Sequence, residues 1–185
     1  LLLGGCGGSS NKDVTIPVIS LEGAVSVSLE AGTGYTDAGA TATDNIDGSI
    51  TSSIVTVNPV DIDTVGTYTV TYNVSDAAGN DAAAVTRTVE VKDVTIPVIS
   101  LEGAVSVSLE AGTGYTDAGA TATDNIDGSI TSSIVTVNPV DIDTVGTYTV
   151  TYNVSDAAGN DAAAVTRTVE VVEPVLTGYF TDSAV

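Results

Sequence analysis

The stretch that decides the fold is Val65-Gly66-Thr67-Tyr68-Thr69-Val70-Thr71-Tyr72-Asn73-Val74. Valine and tyrosine alternate here with threonine and asparagine, and a period of two residues is the pattern of a β-strand with one face in the core. The glycine before the alternation is typical of a turn. We therefore predict a long strand that directs Tyr68, Val70 and Tyr72 inward.

Shorter segments of the same kind precede this strand. Valine or leucine alternates with serine over 25–29, and alanine alternates with threonine over 40–43, with the apolar residues expected inward and serine and threonine outward. Residues that favour turns separate the segments: Gly32-Thr33-Gly34, Asp47-Gly48, Asn58-Pro59 and Gly79-Asn80. Short strands divided by turns in this way indicate an antiparallel sandwich.

The chain contains one 80-residue sequence twice, because residues 12–91 and 92–171 are identical at every position. About 80 residues is the size of a small self-contained domain rather than of a solenoid unit. Identical tandem copies favour spacing, avidity or display over catalysis. We expect four segments: the end of a signal peptide with a tether (1–11), repeat one (12–91), repeat two (92–171), and a linker with the start of a truncated further β-module (172–185).

The ordered motifs of the repeat resemble the bacterial immunoglobulin-like repeats of secreted and surface proteins, including one class of pesticidal crystal protein. Tyr68, just after Gly66, resembles the tyrosine corner of such sandwiches. The resemblance implies an all-β fold of two tandem immunoglobulin-like antiparallel β-sandwiches, each of about seven strands. It implies a fold and a location rather than an activity. The motifs are Asp13-Val14-Thr15-Ile16-Pro17, Gly34-Tyr35-Thr36-Asp37-Ala38-Gly39, Asp44-Asn45-Ile46-Asp47-Gly48, the stretch at 66–72 and Asp76-Ala77-Ala78-Gly79-Asn80.

Charge and composition exclude several classes of function. The chain has 24 acidic and 4 basic residues, a formal net charge of −20, one cysteine and no histidine. Such a surface repels nucleic acid, so we expect no nucleic-acid partner. Without histidine the chain has no histidine-based triad and no imidazole to transfer protons near neutral pH. We therefore predict that the protein is not an enzyme. Because the chain has a single cysteine, it forms no disulfide within itself.

The single cysteine ends the apolar leader Leu3-Gly4-Gly5-Cys6, which resembles the lipobox of bacterial lipoproteins. In that family the cysteine becomes the acylated N-terminus, so Cys6 is the predicted lipidation site and membrane anchor. Residues 7–11 then form a flexible tether. Gly7 after the cysteine favours the outer membrane or cell surface of a Gram-negative envelope. The alternative is a chance cysteine in a glycine-rich leader.

Acidic residues recur in the predicted turns. A seven-strand sandwich is expected to bring Asp13, the loop at 44–48 and the loop at 76–81 to one end, where carboxylate oxygens suit Ca²⁺. In repeat two such an ion could also stiffen the junction. The alternative is that these residues only form tight turns. The candidate metal ligands are Asp13, Asp44, Asp47, Asp76, Asp81, Asp93, Asp124, Asp127, Asp156 and Asp161.

Arg87 does not fit the alternation of the last strand, since it shares a face with Val85, Val89 and Val91. Two interpretations are open. A β-bulge could turn the arginine outward, or the arginine could pair with a carboxylate.

The leading functional hypothesis is a non-catalytic, surface-anchored lipoprotein whose repeats act as a spacer, stalk or adhesion module. The alternative is a carbohydrate-binding or stalk region of a larger secreted enzyme whose catalytic domain lies beyond Val185. Tyr35 is the only candidate for an exposed sugar platform in repeat one. A surface glycan or a protein ligand is thus a possible partner, besides the membrane.

Overall fold

The computed structural model describes residues 12–175, which fall into two compact all-β units that divide between Asp93 and Val94. The first unit has two sheets, with strand orders β1-β3-β4 and β2-β7-β6-β5. A 3₁₀ helix at Thr51–Ser53 follows β4. The strands are β1 Val18–Leu21, β2 Ser26–Glu30, β3 Ala40–Asp44, β4 Gly48–Ser49, β5 Val55–Val57, β6 Gly66–Asn73 and β7 Val85–Lys92.

The second unit repeats this plan, with sheets β8-β10-β11 and β9-β14-β13-β12 and a 3₁₀ helix at Thr131–Ser133. Each unit therefore has seven strands in two sheets, as the sequence predicted. The strands are β8 Val98–Leu101, β9 Ser106–Glu110, β10 Ala120–Asp124, β11 Gly128–Ser129, β12 Val135–Val137, β13 Gly146–Asn153 and β14 Val165–Val172.

The core lies between the two sheets and is centred on β6, the strand predicted from the alternation. Val70 and Tyr72 are fully buried, and they pack with Val89 of β7 and with Ile19 and Ala42 of the facing sheet. Val70 stands where antibody domains place a cysteine, so valine packing fills the position of a disulfide.

The second predicted strand needs a correction at its first residue. Val25 was expected to be inward at the start of the strand, but its side chain is 66% exposed and β2 begins at Ser26. The carbonyl of Val25 still accepts a hydrogen bond from the Thr88 amide at 3.0 Å. The backbone is thus paired, while the side chain remains exposed.

One strand pair is parallel rather than antiparallel. After β1 the chain turns at Gly23, which has a φ of 72°, and crosses to the other sheet. There β2 runs parallel to β7, with Val27 beside Val89 and Leu29 beside Val91. This crossing covers the edge of β7 and places the loop at 22–25 over the strand.

The tyrosine corner is present in both units. The Tyr68 hydroxyl donates a hydrogen bond of 2.8 Å to the carbonyl of Thr64, four residues upstream, and Tyr148 does the same to Thr144 at 2.8 Å. The contact fixes the turn that leads into β6, as the resemblance implied.

The chain enters and leaves the first unit at opposite ends. The side chain of Asn80, in the loop after β6, donates to the carbonyl of Asp13 at 3.3 Å. At the other end of the sheet, Val91 near the end of β7 pairs with Gly66 at the start of β6. The eight residues of β6 span about 26 Å between these ends.

Candidate functional site

Arg87 is buried at the centre of a hydrogen-bonded network. Its side chain is 1% exposed, and β7 pairs with β6 without a break around it, so the bulge interpretation is wrong. Nη1 donates to the Asp37 carboxylate and, at 2.9 Å, to the Tyr72 hydroxyl. The predicted pairing with a carboxylate is confirmed.

The remaining guanidinium donors bind backbone carbonyls in the two connections on either side of β2. Nε donates to the Ala24 carbonyl at 2.9 Å, and Nη2 donates to the carbonyls of Gly39 and Glu22. Arg87 on β7 therefore binds both the connection from β1 to β2 and the connection from β2 to β3. A buried charge is stabilised when its donors are satisfied in this way.

Asp37 was not predicted as a functional residue, although it completes the network. Its carboxylate accepts hydrogen bonds from Tyr72 at 2.6 Å and from Tyr35 at 3.0 Å, besides the contact with Arg87. Burial raises the pKa of Asp37, but the bonds from the two tyrosines and the charge of Arg87 outweigh it, so the pKa is lowered. Burial and the bond to Asp37 raise the pKa of Tyr72.

The second unit contains the same network. Arg167 is 1% exposed and donates to Asp117, and Tyr152 donates to Asp117 at 2.6 Å. In both units the arginine and the aspartate form contacts within the unit, so their role is structural.

A shallow cavity of about 240 Å³ lies beside this network and is lined by Val27, Leu29, Tyr35, Ala38 and Arg87, among others. It is smaller than the roughly 300–1,000 Å³ of most small-molecule sites. Tyr35, the predicted sugar platform, is half-buried and its hydroxyl is bound to Asp37. Tyr35 therefore belongs to the hydrogen-bonded network and does not form an exposed surface on which a sugar could stack.

The predicted acidic end does assemble. Carboxylate oxygens of Asp13, Asp44 and Asp76 lie within 4.8 Å of one another. The Oδ2 atom of Asp44 accepts the amides of Ile46 at 2.7 Å and Asp47 at 3.0 Å, which orients the carboxylate. Its Oδ1 atom is buried and has no hydrogen-bond partner among the described residues.

The other predicted ligands of the first repeat have separate contacts. Asp47 accepts the amide of Ala77 at 2.8 Å and so joins the two acidic loops. Asp81 accepts a hydrogen bond from the Ser75 hydroxyl, and the group of three carboxylates does not include it.

Asp76 is held by the loop at 76–80. Asn80 donates to it through its amide at 2.7 Å and its side chain at 2.6 Å. Burial raises the pKa of Asp76. The hydrogen bonds from Asn80 and from the amides of Ala78 and Gly79 lower it by more, so the net pKa is below its usual range. Asp76 is therefore ionised at neutral pH.

The second repeat groups Asp93, Asp124 and Asp127, whose carboxylate oxygens lie within 4.8 Å. Asp124 is 9% exposed, and its Oδ2 atom is buried without a hydrogen-bond partner in the part of the chain that the structure describes. Asp156 accepts hydrogen bonds from Asn160, and Asp161 accepts one from Ser155, as in the first repeat.

The predicted lipidation site and the predicted further module lie outside the described residues, since Cys6 falls in 1–11 and the tail in 176–185. Between 12 and 175, the structure contains no helix of the length and apolar character needed to cross a membrane.

Comparison with known proteins assigns this architecture to a family. The family model described as bacterial surface protein, Ig-like domain, matches residues 19–91 and 99–171. The chain belongs to this family. The all-β fold of two tandem Ig-like domains and the resemblance to bacterial Ig-like repeats are thereby confirmed, and the family is one of the bacterial cell surface.

Relatives of these Ig-like repeats are much longer proteins. The chain is 34% identical over 165 residues to hyalin of Strongylocentrotus purpuratus and 37% identical over 176 residues to hyalin of Lytechinus variegatus. The matches cover 86% and 87% of this chain, but 14% and 32% of those proteins. Among solved structures, the M60 catalytic domain with the CBM51-1 and CBM51-2 domains of Clostridium perfringens ZmpB matches with a TM-score of 0.43 and 13% identity, over 85% of this chain and 31% of that one.

Proposed function

We propose that the two Ig-like repeats are a non-catalytic spacer or adhesion stalk of a lipid-anchored protein of the bacterial cell envelope. The observation that carries the proposal is the identical duplication of a self-contained unit. A second identical copy adds length and valency, whereas a catalytic centre gains little from it.

The geometry of each unit suits a spacer. The chain enters near Asp13 and leaves near Val91, at opposite ends of β6. The arginine network holds the loops against the sheet, so the unit resists deformation without a disulfide.

The chemistry of the described residues supports a role without catalysis. Arg87 and Asp37 are paired with each other, and Tyr72 is bound to both. No histidine is available anywhere in the sequence. General acid-base work would fall to carboxylates, several of which accept hydrogen bonds from their own loops.

Removal of one repeat tests the spacer role. Deletion of residues 92–171 from the full-length protein leaves one intact copy, since that segment is a whole repeat. We expect the protein to remain on the cell surface, and an epitope placed after the repeats to become less accessible to an antibody. Insertion of a third copy is expected to increase access. Accessibility that does not change with copy number would contradict the spacer role.

The same deletion series distinguishes the alternative of an enzyme accessory. There, hydrolysis of a glycan or a peptide by the full-length protein would depend on the repeats. Turnover that is lost when a carboxylate within 12–171 is replaced would overturn the non-catalytic assignment.

Lipid anchoring is tested at Cys6. We expect the mature protein to begin at this residue, to incorporate labelled fatty acid and to partition into detergent, because the leader resembles a lipobox. The Cys6→Ser variant should lose both the label and the detergent partitioning while the repeats remain folded. Mass spectrometry that finds an intact upstream leader or a free Cys6 thiol would rule out the anchor.

A further inference from the structure

We propose that each repeat binds a calcium ion at its acidic end, through Asp13, Asp44 and Asp76 in the first copy and Asp93, Asp124 and Asp127 in the second. The inference goes beyond the spacer role and does not depend on lipid anchoring. It rests on two separate observations, the convergence of three carboxylates and a buried carboxylate oxygen that has no hydrogen-bond partner among the described residues.

The unpartnered oxygen points to a ligand. One oxygen of the Asp124 carboxylate accepts the amides of Ile126 at 2.8 Å and Asp127 at 3.1 Å. The other oxygen is shielded, in a side chain only 9% exposed, and accepts no hydrogen bond from the described residues. The equivalent oxygen of Asp44 is in the same state. A buried charged acceptor without a partner is destabilising, and a bound cation would satisfy it.

The protein's own cations do not satisfy the first group. The ion pairs of the first unit join Arg87 to Asp37 and Lys92 to Glu90, and neither includes Asp13, Asp44 or Asp76. The group therefore carries negative charge, and no basic side chain in these two ion pairs balances it.

The chemistry of the donor set indicates the class of ion. The candidate ligands are carboxylates, with neither imidazole nor thiolate in the group, which suits a hard cation. Ca²⁺ takes six to eight oxygen ligands in a flexible geometry, which loop carboxylates can supply together with water. Mg²⁺ requires a near-ideal octahedron and usually keeps several of its waters.

Equilibrium dialysis with radioactive calcium on the whole chain, after treatment with a chelator, tests the proposal. We expect two ions per chain with a Kd of about 10⁻⁴–10⁻³ M, as in other extracellular modules. At tenfold excess over Kd, calcium is expected to raise Tm by about 5–10 °C. Sodium chloride at equal ionic strength is the control, because screening alone reduces the repulsion within a chain of net charge −20.

Paired variants locate the site. Asp44→Asn with Asp124→Asn keeps one oxygen for the turn and removes the charge, so affinity should fall at least about tenfold. Asp63→Asn with Asp143→Asn is the matched control, since it makes the same charge change at exposed positions outside the groups. Circular dichroism confirms folding, and Asp13→Asn with Asp93→Asn replaces the first pair if that pair fails to fold.

Three results would overturn the proposal. If sodium chloride reproduces the whole Tm shift, the effect is screening. If the variant with Asp44→Asn and Asp124→Asn binds calcium as tightly as its matched control, the acidic loops are only turns. If magnesium at the same concentration gives an equal shift in Tm, the assignment to calcium is wrong.

Discussion

The Arg87→Met variant is expected to lose about 3–5 kcal/mol from the free energy of unfolding of the first repeat, because it leaves the Asp37 carboxylate buried without its partner. Asp37 is 14% exposed and Arg87 1%, so water replaces little of the lost interaction. The variant also removes donors from the carbonyls of Ala24, Glu22 and Gly39. A domain of this size has a stability of about 4–12 kcal/mol in total, so the repeat should be close to unfolding.

The identical second repeat is an internal reference for this measurement. A thermal melt of Arg87→Met should resolve two transitions, one at the Tm of the unchanged protein and one lower by more than about 10 °C. Lys92→Met is the matched control, because Lys92 also lies on β7 and pairs with a carboxylate, Glu90, but is 46% exposed. Such a surface pair contributes about 0–1 kcal/mol.

A second substitution tests the reason for the loss. If the cost comes from an uncompensated charge, Arg87→Met combined with Asp37→Leu should be more stable than Arg87→Met alone, since both members of the pair are then absent. Equal losses for Arg87→Met and Lys92→Met would show that the network does not stabilise the repeat.

The sequence predicted the parts of this network that have a local pattern. β6 was found from its alternation, and the hydrogen bond from Tyr68 to Thr64 spans only four residues. Asp37 had no such signal, because its partners Tyr72 and Arg87 are 35 and 50 residues away. An aspartate in a glycine-rich loop is ordinary in a turn, and only the tertiary fold distinguishes it.

The acidic end was predictable for a different reason. The strand order alone brings the loops at 44–48 and 76–81 to the same end as Asp13. The order of strands does not determine which carboxylates point together, and Asp81 instead accepts a hydrogen bond from Ser75. Val25 shows a similar limit, since alternation gives the face on which a residue lies but not how deeply that residue is buried.

Both repeats are expected to lose stability steeply as the pH falls below about 4. In the folded protein the pKa of Asp37 is lowered, and unfolding returns it to about 3.9. The stabilisation is therefore fully present above that ordinary pKa and is lost as the pH falls through the lower pKa of the folded state. Each additional proton bound on unfolding removes about 1.4 kcal/mol of stability per pH unit.

The groups that face Asp37 make this effect separable from surface charge. They are Arg87 on β7, Tyr72 on β6 and Tyr35 in the same loop, and only Asp37 gains a proton in acid. Protonation of the surface carboxylates has the opposite effect, because it reduces the repulsion of a chain with net charge −20. Urea unfolding in about 0.5 M NaCl suppresses that repulsion by screening, so the remaining pH dependence reports the carboxylates whose pKa is lowered in the fold, which include Asp37, Asp76 and Asp141.

Asp37→Asn with Asp117→Asn assigns the dependence to the network. The double variant should already be less stable at pH 6, since Arg87 and Arg167 keep their charge, and its stability should fall less steeply below about pH 4. Asp63→Asn with Asp143→Asn, at exposed positions, should retain the steep dependence of the parent protein. If the parent and the Asp37→Asn, Asp117→Asn variant have the same slope, other carboxylates cause the acid instability, and the charge on Asp37 does not couple folding to pH. A reduced slope in that variant alone would mean that the buried ion pair of each repeat also sets the acid limit of the fold.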